Sequence, residues 1–128
     1  MSDTKRIIKT DKAPAAIGPY SAGVAANSFV FTAGQIGLDP VSGAMVEGGV
    51  EAEARQALTN LKGILEAGGS SLEKVVKTTV FLKDIGDFQK VNAVYAEFFT
   101  MNPPARSAVQ VAALPRGALV EVEAIACA

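Results

Sequence analysis

Apolar and polar positions recur along this chain with two periods, which divide it into helices and strands. Apolar residues at three- and four-residue spacing over 50–65 predict an amphipathic helix, which the glycines at 68–69 end. A second stripe with the same period predicts a helix that begins at Asp87 and runs to the proline pair 103–104. These two helices carry the strongest periodic signals of the chain.

Six shorter segments are rich in β-branched residues or alternate in polarity, which is typical of strands. They comprise residues 6–9, 21–26, 29–33, 75–82, 107–112 and 119–126. The pair Asn27-Ser28 predicts a tight hairpin between the second and third strands. The order β-β-β-α-β-α-β-β predicts an α+β fold, with one mixed sheet and two helices on one of its faces.

The second face of this sheet is also predicted to be apolar. Segments 112–114 and 124–126 place apolar residues on both sides of the last strands. An apolar sheet face in a short chain is expected to meet another copy of the chain. The pattern predicts self-association but does not give the number of subunits.

Composition places the chain among globular proteins. Its 128 residues are 49% hydrophobic and 20% charged, which predicts a single domain over residues 1–128 with one core. Twelve basic residues stand against 13 acidic ones, so no strong field attracts nucleic acid or an anionic membrane. The start of the sequence shows no targeting segment, and the single cysteine fits a reducing, cytoplasmic setting.

Missing residue types exclude several kinds of chemistry. The chain has no histidine, which excludes Ser-His-Asp and Cys-His catalysis and histidine-ligated zinc. Cys127 is the only cysteine, so neither a disulfide nor a paired-cysteine metal site can form within the chain. The glycines match no nucleotide-binding motif. We therefore expect no cofactor and no metal.

Arg106 is a permanent cation at the start of an apolar strand. Its planar guanidinium suits a carboxylate held by two hydrogen bonds, either that of a ligand or, as a structural ion pair, that of Glu121 or Glu123. These two glutamates are two residues apart on one strand, so they share a face about 6.5–7 Å apart. They suit acid–base chemistry if enclosed and are merely solvated if not. If the last two strands pair, Arg106 and one glutamate would flank a common pocket.

Three further residues are candidates for a binding site. Tyr20 follows a Gly-Pro turn, which presents its ring either to a planar ligand or to a neighbouring subunit. Gly34 lies where a strand enters a loop and either admits a ligand close to the backbone or simply forms a turn. Asn92 on the second helix is a surface or capping group unless a partner gives it another role.

Six blocks of sequence resemble a known family in their order and spacing. They are IGPYS at 17–21, TAGQIG at 32–37, VKTTV at 76–80, VNAVY at 91–95, PARS at 104–107 and EVEAIA at 121–126. Together they are similar to the Rid family, formerly called YjgF-like, and within it to the RidA subgroup of enamine/imine deaminases. The resemblance extends from Ala13 to Ala126, nearly the whole chain.

The resemblance implies a fold, an assembly and a reaction. The fold would be chorismate-mutase-like, in a homotrimer with sites in the clefts between subunits. The reaction would be the hydrolysis of 2-iminopropanoate and 2-iminobutanoate, and of enamine tautomers such as 2-aminoacrylate, to 2-keto acids and ammonia. Water would add without a metal, a cofactor or a covalent intermediate.

The resemblance also implies roles for individual residues. Arg106 would bind the substrate carboxylate, and Glu121 would orient or activate water. The substrate-binding positions would also include Tyr20, Gly34, Asn92, Ser107 and Ala108. Ala108 stands where the family often has cysteine, so any role of that thiol is absent here. Tyr20 is distant in sequence from Arg106 and Glu121, and we expect it to reach their pocket from a neighbouring subunit.

Two other functions remain open from the sequence. The same pocket could hold a small 2-keto acid in a sensor that performs no reaction. An endoribonuclease or translation inhibitor, an activity attributed to some relatives, is disfavoured by the acidic charge balance and the missing histidine. The expected partners are thus a small imino or keto acid and further copies of the chain, with neither nucleic acid nor membrane.

Overall fold

The computed structural model describes residues 4–128 and contains one six-stranded sheet with two helices. The strands are β1 (Arg6–Ile8), β2 (Gly23–Ala26), β3 (Phe29–Thr32), β4 (Val75–Leu82), β5 (Ala105–Gln110) and β6 (Val120–Cys127). The helices are α1 (Gly49–Ala67) and α2 (Phe88–Phe98). The predicted order of elements and the α+β class are confirmed. The expectation that the start of the sequence has no targeting segment concerns partly residues 1–3, which lie outside the described residues.

The strands are arranged in the order β1-β2-β3-β6-β4-β5. Strands β4 and β5 are parallel and are joined through α2, whereas the other neighbours are antiparallel. The last strand in sequence therefore lies near the middle of the sheet, and β5 forms an edge. This order places β4 between β5 and β6, so the last two strands do not pair.

The hairpin predicted at Asn27-Ser28 is confirmed. Ala26 pairs with Phe29, and both loop residues have positive φ angles, 49° at Asn27 and 69° at Ser28. A two-residue loop with positive φ at both positions matches the twist of the strands it joins.

The core lies between the two helices and one face of the sheet. Helix α1 contributes Leu58, Leu61 and Leu65, which are completely buried, and the sheet contributes Val80 and Val122. Burial of each large aliphatic side chain stabilises the fold by about 1.5–3 kcal/mol. The apolar stripe predicted over 50–65 is the face that packs on the sheet.

Boundaries of three predicted elements, β2, α2 and β5, are wrong by two residues or more, and β2 begins at Gly23 rather than at residue 21. Helix α2 ends at Phe98 rather than at the prolines, and the chain reaches Pro103 through a segment in which Asn102 has φ 47°. Strand β5 begins at Ala105 and ends at Gln110, two residues early at both ends, because its parallel register with β4 covers Lys77 to Leu82. Segment 112–114 therefore lies beyond the strand.

The face of the sheet away from the helices carries exposed apolar side chains beside polar ones, and the apolar ones are partly other residues than those predicted. Ile7, Phe29, Phe31 and Val109 point to this side, and each is 40–43% exposed. Ile125 joins them, as the pattern over 124–126 predicts. We call this side the open face. No helix among residues 4–128 is long and apolar enough to cross a membrane.

Candidate active site

Arg106 lies on the helix side of the edge strand β5. Its register partner is Thr78, whose own partner on β6, Ala124, packs in the core, so all three point towards the helices. Arg106 Nη1 donates a 2.7 Å hydrogen bond to Asn92 Oδ1 on α2. The guanidinium carbon also lies 5.2 Å from the ring centroid of Phe88 and 4.7 Å from that of Tyr95.

The alternative in which Arg106 forms an ion pair with Glu121 or Glu123 is wrong within one chain. Among residues 4–128, the structure gives a salt bridge only between Arg55 and Glu97, on the outer faces of the helices. The guanidinium is thus fixed by an amide oxygen and two rings, and its charge has no carboxylate beside it in this part of the chain.

Glu121 lies on the opposite side of the sheet. Its register partner is Phe81, which pairs in turn with Val109 of the open face. Its carboxylate lines a cavity of about 700 Å³ together with Tyr20 and Gly34. Removal from water raises the pKa of Glu121, and the charge of Glu123 on the same face raises it further. The predicted shared face of the two glutamates is confirmed.

Gly34 permits a close approach between the backbone and the carboxyl group of Glu121. A Cβ atom at this position would overlap Oε2 of Glu121 and would lie 2.7 Å from its carboxyl carbon. The backbone φ of Gly34 lies outside the left-handed region, so the glycine is required for space rather than for backbone conformation. The sequence left open a ligand's close approach and a simple turn at this position, and in this structure the atoms next to Gly34 are those of Glu121.

Buried polar groups of α1 fix the loop that carries Gly34. Asn60, completely buried, donates from Nδ2 to the carbonyl oxygens of Ile36 (3.3 Å) and Leu38 (2.9 Å). The backbone of Gln35 exchanges two hydrogen bonds with that of Val122, of 2.8 and 3.0 Å. The loop is therefore tied both to α1 and to the strand that carries Glu121.

The first loop of the chain supplies the third member of this cavity. The backbone N–H of Tyr20 donates to the carbonyl of Gly18 at 2.8 Å, which closes the predicted tight turn, and the ring is about half exposed. Tyr20 and Glu121 therefore belong to the same cavity of one chain. The contact of Tyr20 with the Glu121 cavity therefore needs no neighbouring subunit, whereas the expectation that Tyr20 reaches Arg106 from a neighbouring subunit stays a prediction.

The predicted site residues thus form two groups on opposite sides of the sheet. One contains Arg106 and Asn92, and the other contains Tyr20, Gly34 and Glu121. The pocket predicted between Arg106 and a glutamate does not form within one chain, because β4 separates their strands and their side chains point to opposite faces.

Ser107 and Ala108 belong to neither group by side-chain contact. Ser107 points to the open face, where its Oγ accepts a 2.9 Å hydrogen bond from Lys77 Nζ. Ala108 is half-buried and packs against the core below the helices. Both have backbone next to Arg106 on the exposed edge strand.

Three residues of these groups were missed by the sequence reasoning. Phe88 and Tyr95 belong to the apolar stripe that predicts the second helix, and the sequence reasoning gave them no role in a site, yet they contact the Arg106 guanidinium. Arg116 lines the Glu121 cavity at a left-handed turn (φ 60°) and donates to the Gly43 carbonyl at 3.3 Å. The available signals were the spacing of the two rings on one helix face and a cation between proline and glycine.

Comparison with known proteins identifies the family. The model of the endoribonuclease L-PSP family matches residues 10–128. This chain belongs to that family. It is the Rid, or YjgF-like, family indicated by the six sequence blocks, so that prediction is confirmed.

Relatives and solved structures match over nearly the full chain. The 2-iminobutanoate/2-iminopropanoate deaminases of Homo sapiens and Capra hircus are 54% and 57% identical over 95% of this chain and 89% of theirs. The crystal structure of the E. coli YjgF gene product has a TM-score of 0.90 at 50% identity, covering 95% of this chain and 98% of its own. That of E. coli TdcF with bound serine has a TM-score of 0.92 at 45% identity, covering 96% and 98%.

Proposed function

We propose that this protein hydrolyses 2-iminopropanoate and 2-iminobutanoate, with their enamine tautomers, to 2-keto acids and ammonia. The observation that carries the proposal is the identity of more than half the residues with relatives named for this activity. The structure supports the proposal through a guanidinium that has no carboxylate beside it among residues 4–128 and through a carboxyl group with a raised pKa. The serine bound to TdcF is likewise a small molecule whose carboxylate stands next to a nitrogen-bearing carbon.

The reaction requires orientation and proton transfer rather than a strong nucleophile. In a protonated imine the carbon is already electrophilic, so water can form the new C–O bond while the C=N electron pair moves to nitrogen. Arg106 holds the substrate carboxylate through its planar fork and thereby fixes the position of that carbon. Glu121 accepts a proton from the attacking water and returns it to nitrogen. As the C–N bond then breaks and ammonia leaves, Glu121 accepts the remaining proton of the hydroxyl group, and the keto group forms.

The raised pKa of Glu121 suits this proton transfer. A carboxylate with an ordinary pKa is a weak base at neutral pH, and burial makes it a stronger one. General acid–base catalysis is most effective when the pKa approaches the working pH. The partial enclosure of Glu121 therefore favours both the removal of a proton from water and its return to nitrogen.

We further propose that each complete site forms between two chains of a homotrimer with the chorismate-mutase-like fold. Arg106 lies near the edge of the sheet on the helix side, and Glu121 lies in a cavity on the other side. A second copy that covers the exposed apolar side chains of the open face would bring the Glu121 group of one chain to the Arg106 group of the next. Ser107 and Ala108, on the exposed edge, would border the same cleft. Residues 1–128 would act as one domain in the cytoplasm.

Subunit mixing tests this composite site. Inactive Arg106→Ala and Glu121→Gln chains, mixed in equal amounts and allowed to exchange, should recover about one quarter of wild-type activity, because each mixed closed trimer contains one intact cleft. Tyr20→Ala mixed with Glu121→Gln should recover none, since both residues belong to one cavity. Demonstrated exchange without recovery in the first mixture would reject the two-chain site.

The role of Arg106 is tested by Arg106→Lys, which keeps the charge but loses the bidentate fork. We expect kcat/KM for keto-acid release from freshly generated 2-aminoacrylate to fall at least ~100-fold, about 2.7 kcal/mol of transition-state stabilisation. Arg55→Lys, at an exposed helix ion pair, is the matched control and should leave turnover unchanged. Wild-type turnover by a folded Arg106→Lys protein would remove Arg106 from this role.

Glu121→Gln separates an enzyme from a sensor. In an enzyme the substitution should suppress hydrolysis while leaving the affinity for 2-oxobutanoate largely unchanged, since the carboxylate-binding group is intact. Unaltered hydrolysis would contradict the assignment of Glu121.

A further inference from the structure

The Arg106 guanidinium is surrounded on its protein side by groups that fix its plane. Asn92 Oδ1 accepts one of its N–H groups at 2.7 Å. The ring centroids of Phe88 and Tyr95 lie 5.2 and 4.7 Å from its central carbon, within the roughly 6 Å range of cation–π attraction. A guanidinium bound in this way keeps one orientation before any ligand arrives.

Tyr95 is itself held more firmly than its neighbours in this group. It is 6% exposed, whereas Phe88 is only half-buried. Its hydroxyl forms a 2.8 Å hydrogen bond with Oγ1 of Thr78, which is completely buried and is the register partner of Arg106 on β4. Phe99 packs against it with ring centroids 4.6 Å apart. The ring that faces Arg106 is therefore fixed by the neighbouring strand and by its own helix.

We propose that Tyr95, anchored by Thr78, is a positioning residue that sets the orientation of the Arg106 fork for the substrate carboxylate. The inference rests on the proposed function, in which Arg106 binds that carboxylate. The inference adds that a buried ring, which does not reach the substrate directly, determines the orientation of the Arg106 guanidinium. A small misorientation of the fork would move the electrophilic carbon away from the attacking water, and such errors are costly in rate.

The ionisation of Tyr95 is consistent with this role. Burial raises the pKa of Tyr95, against smaller opposing effects of the Thr78 hydrogen bond and the Arg106 charge. The phenol therefore stays neutral at physiological pH. It acts on the guanidinium through the face of its ring rather than as a counter-ion.

The test measures binding of the product 2-oxobutanoate and of its uncharged analogue 2-oxobutanamide by calorimetry. Tyr95→Leu removes the ring and is expected to weaken 2-oxobutanoate binding about 10-fold while leaving amide binding unchanged. Tyr95→Phe keeps the ring and should restore affinity to within about threefold of wild type. Phe98→Leu is the matched control, because it removes a ring of the same helix that packs on the core but is neither a ring partner of Tyr95 nor a cation–π partner of Arg106, and it should leave the ratio of the two affinities unchanged.

The outcomes separate this inference from the proposed function. If Arg106→Lys weakens 2-oxobutanoate binding and a folded Tyr95→Leu protein does not, the positioning role is wrong and the role of Arg106 stands. If Arg106→Lys binds 2-oxobutanoate as wild type does, the carboxylate assignment itself fails. If Tyr95→Leu does not fold, Thr78→Val, which removes the phenol's anchor, decides: an affinity loss of about threefold supports the inference, and no loss overturns it.

Discussion

Replacement of Gly34 by alanine is expected to displace the Glu121 carboxyl group without unfolding the protein. The new Cβ would overlap Oε2 of Glu121 and lie 2.7 Å from its carboxyl carbon and 3.0 Å from Cγ. Carbon atoms pack at about 3.5–4.0 Å, so the carboxyl carbon would move by about 1 Å. The atoms that move belong to the free end of a half-buried, flexible side chain, so the backbone keeps its position.

The size of this displacement gives the expected loss in kcat/KM. A misplacement of about 1 Å in a catalytic group can cost ~100-fold in rate, which corresponds to about 2.7 kcal/mol. We therefore expect kcat/KM for keto-acid release by Gly34→Ala to fall by up to ~100-fold. The unfolding temperature should stay within about 3 °C of wild type, since little buried contact is lost.

Two controls show whether the effect passes through Glu121. In a double-mutant cycle, Gly34→Ala should lower the residual kcat/KM of Glu121→Gln far less than it lowers that of wild type, because the displaced group no longer transfers protons. Gly37→Ala, in the same loop, would place its Cβ 2.7 Å from the Cα of Glu53 on α1 and should lower stability by about 1–3 kcal/mol. Full activity of Gly34→Ala, or an equal loss in both backgrounds, would refute the reasoning.

Three further predictions concern acid–base behaviour and thiols. Because the pKa of Glu121 is raised from 4.5, kcat/KM should decrease on acidification at a pH above the ordinary glutamate pKa. The residual kcat/KM of Glu121→Gln should lack this pH dependence. The same raised pKa means that the folded state favours the protonated form of Glu121. This contribution to the free energy of unfolding is present below the unfolded pKa and is lost as pH rises through the folded pKa. The free energy of unfolding of Glu121→Gln should therefore equal that of wild type at low pH and exceed it at pH 7. Cys127→Ser and Ala108→Cys should leave hydrolysis largely unchanged, and rapid stoichiometric inactivation of the assembled native protein by a thiol reagent would contradict a mechanism without a thiol.

Local regularities determined most of the elements. The stripe over 50–65, the hairpin at Asn27-Ser28 and the alternation around Glu121 and Glu123 depend on residues close in sequence, so the sequence alone predicted them. Element type and the shared face of neighbouring side chains follow from helical and strand periods, which are properties of short segments. Six blocks in order were also sufficient to indicate the family.

The grouping of the site residues was decided by tertiary structure. Periodicity places Arg106 on one side of its strand, but only the parallel pairing of β5 with β4 turns that side towards α2 and away from Glu121. The insertion of β6 between β3 and β4 likewise brings Glu121 to Gly34 and the loop of Tyr20. Strand pairing joins segments far apart in sequence, and no local period encodes which partner a strand takes. For that reason the sequence indicated which residues carry charge and aromatic surface, whereas the sheet order decided which of them meet.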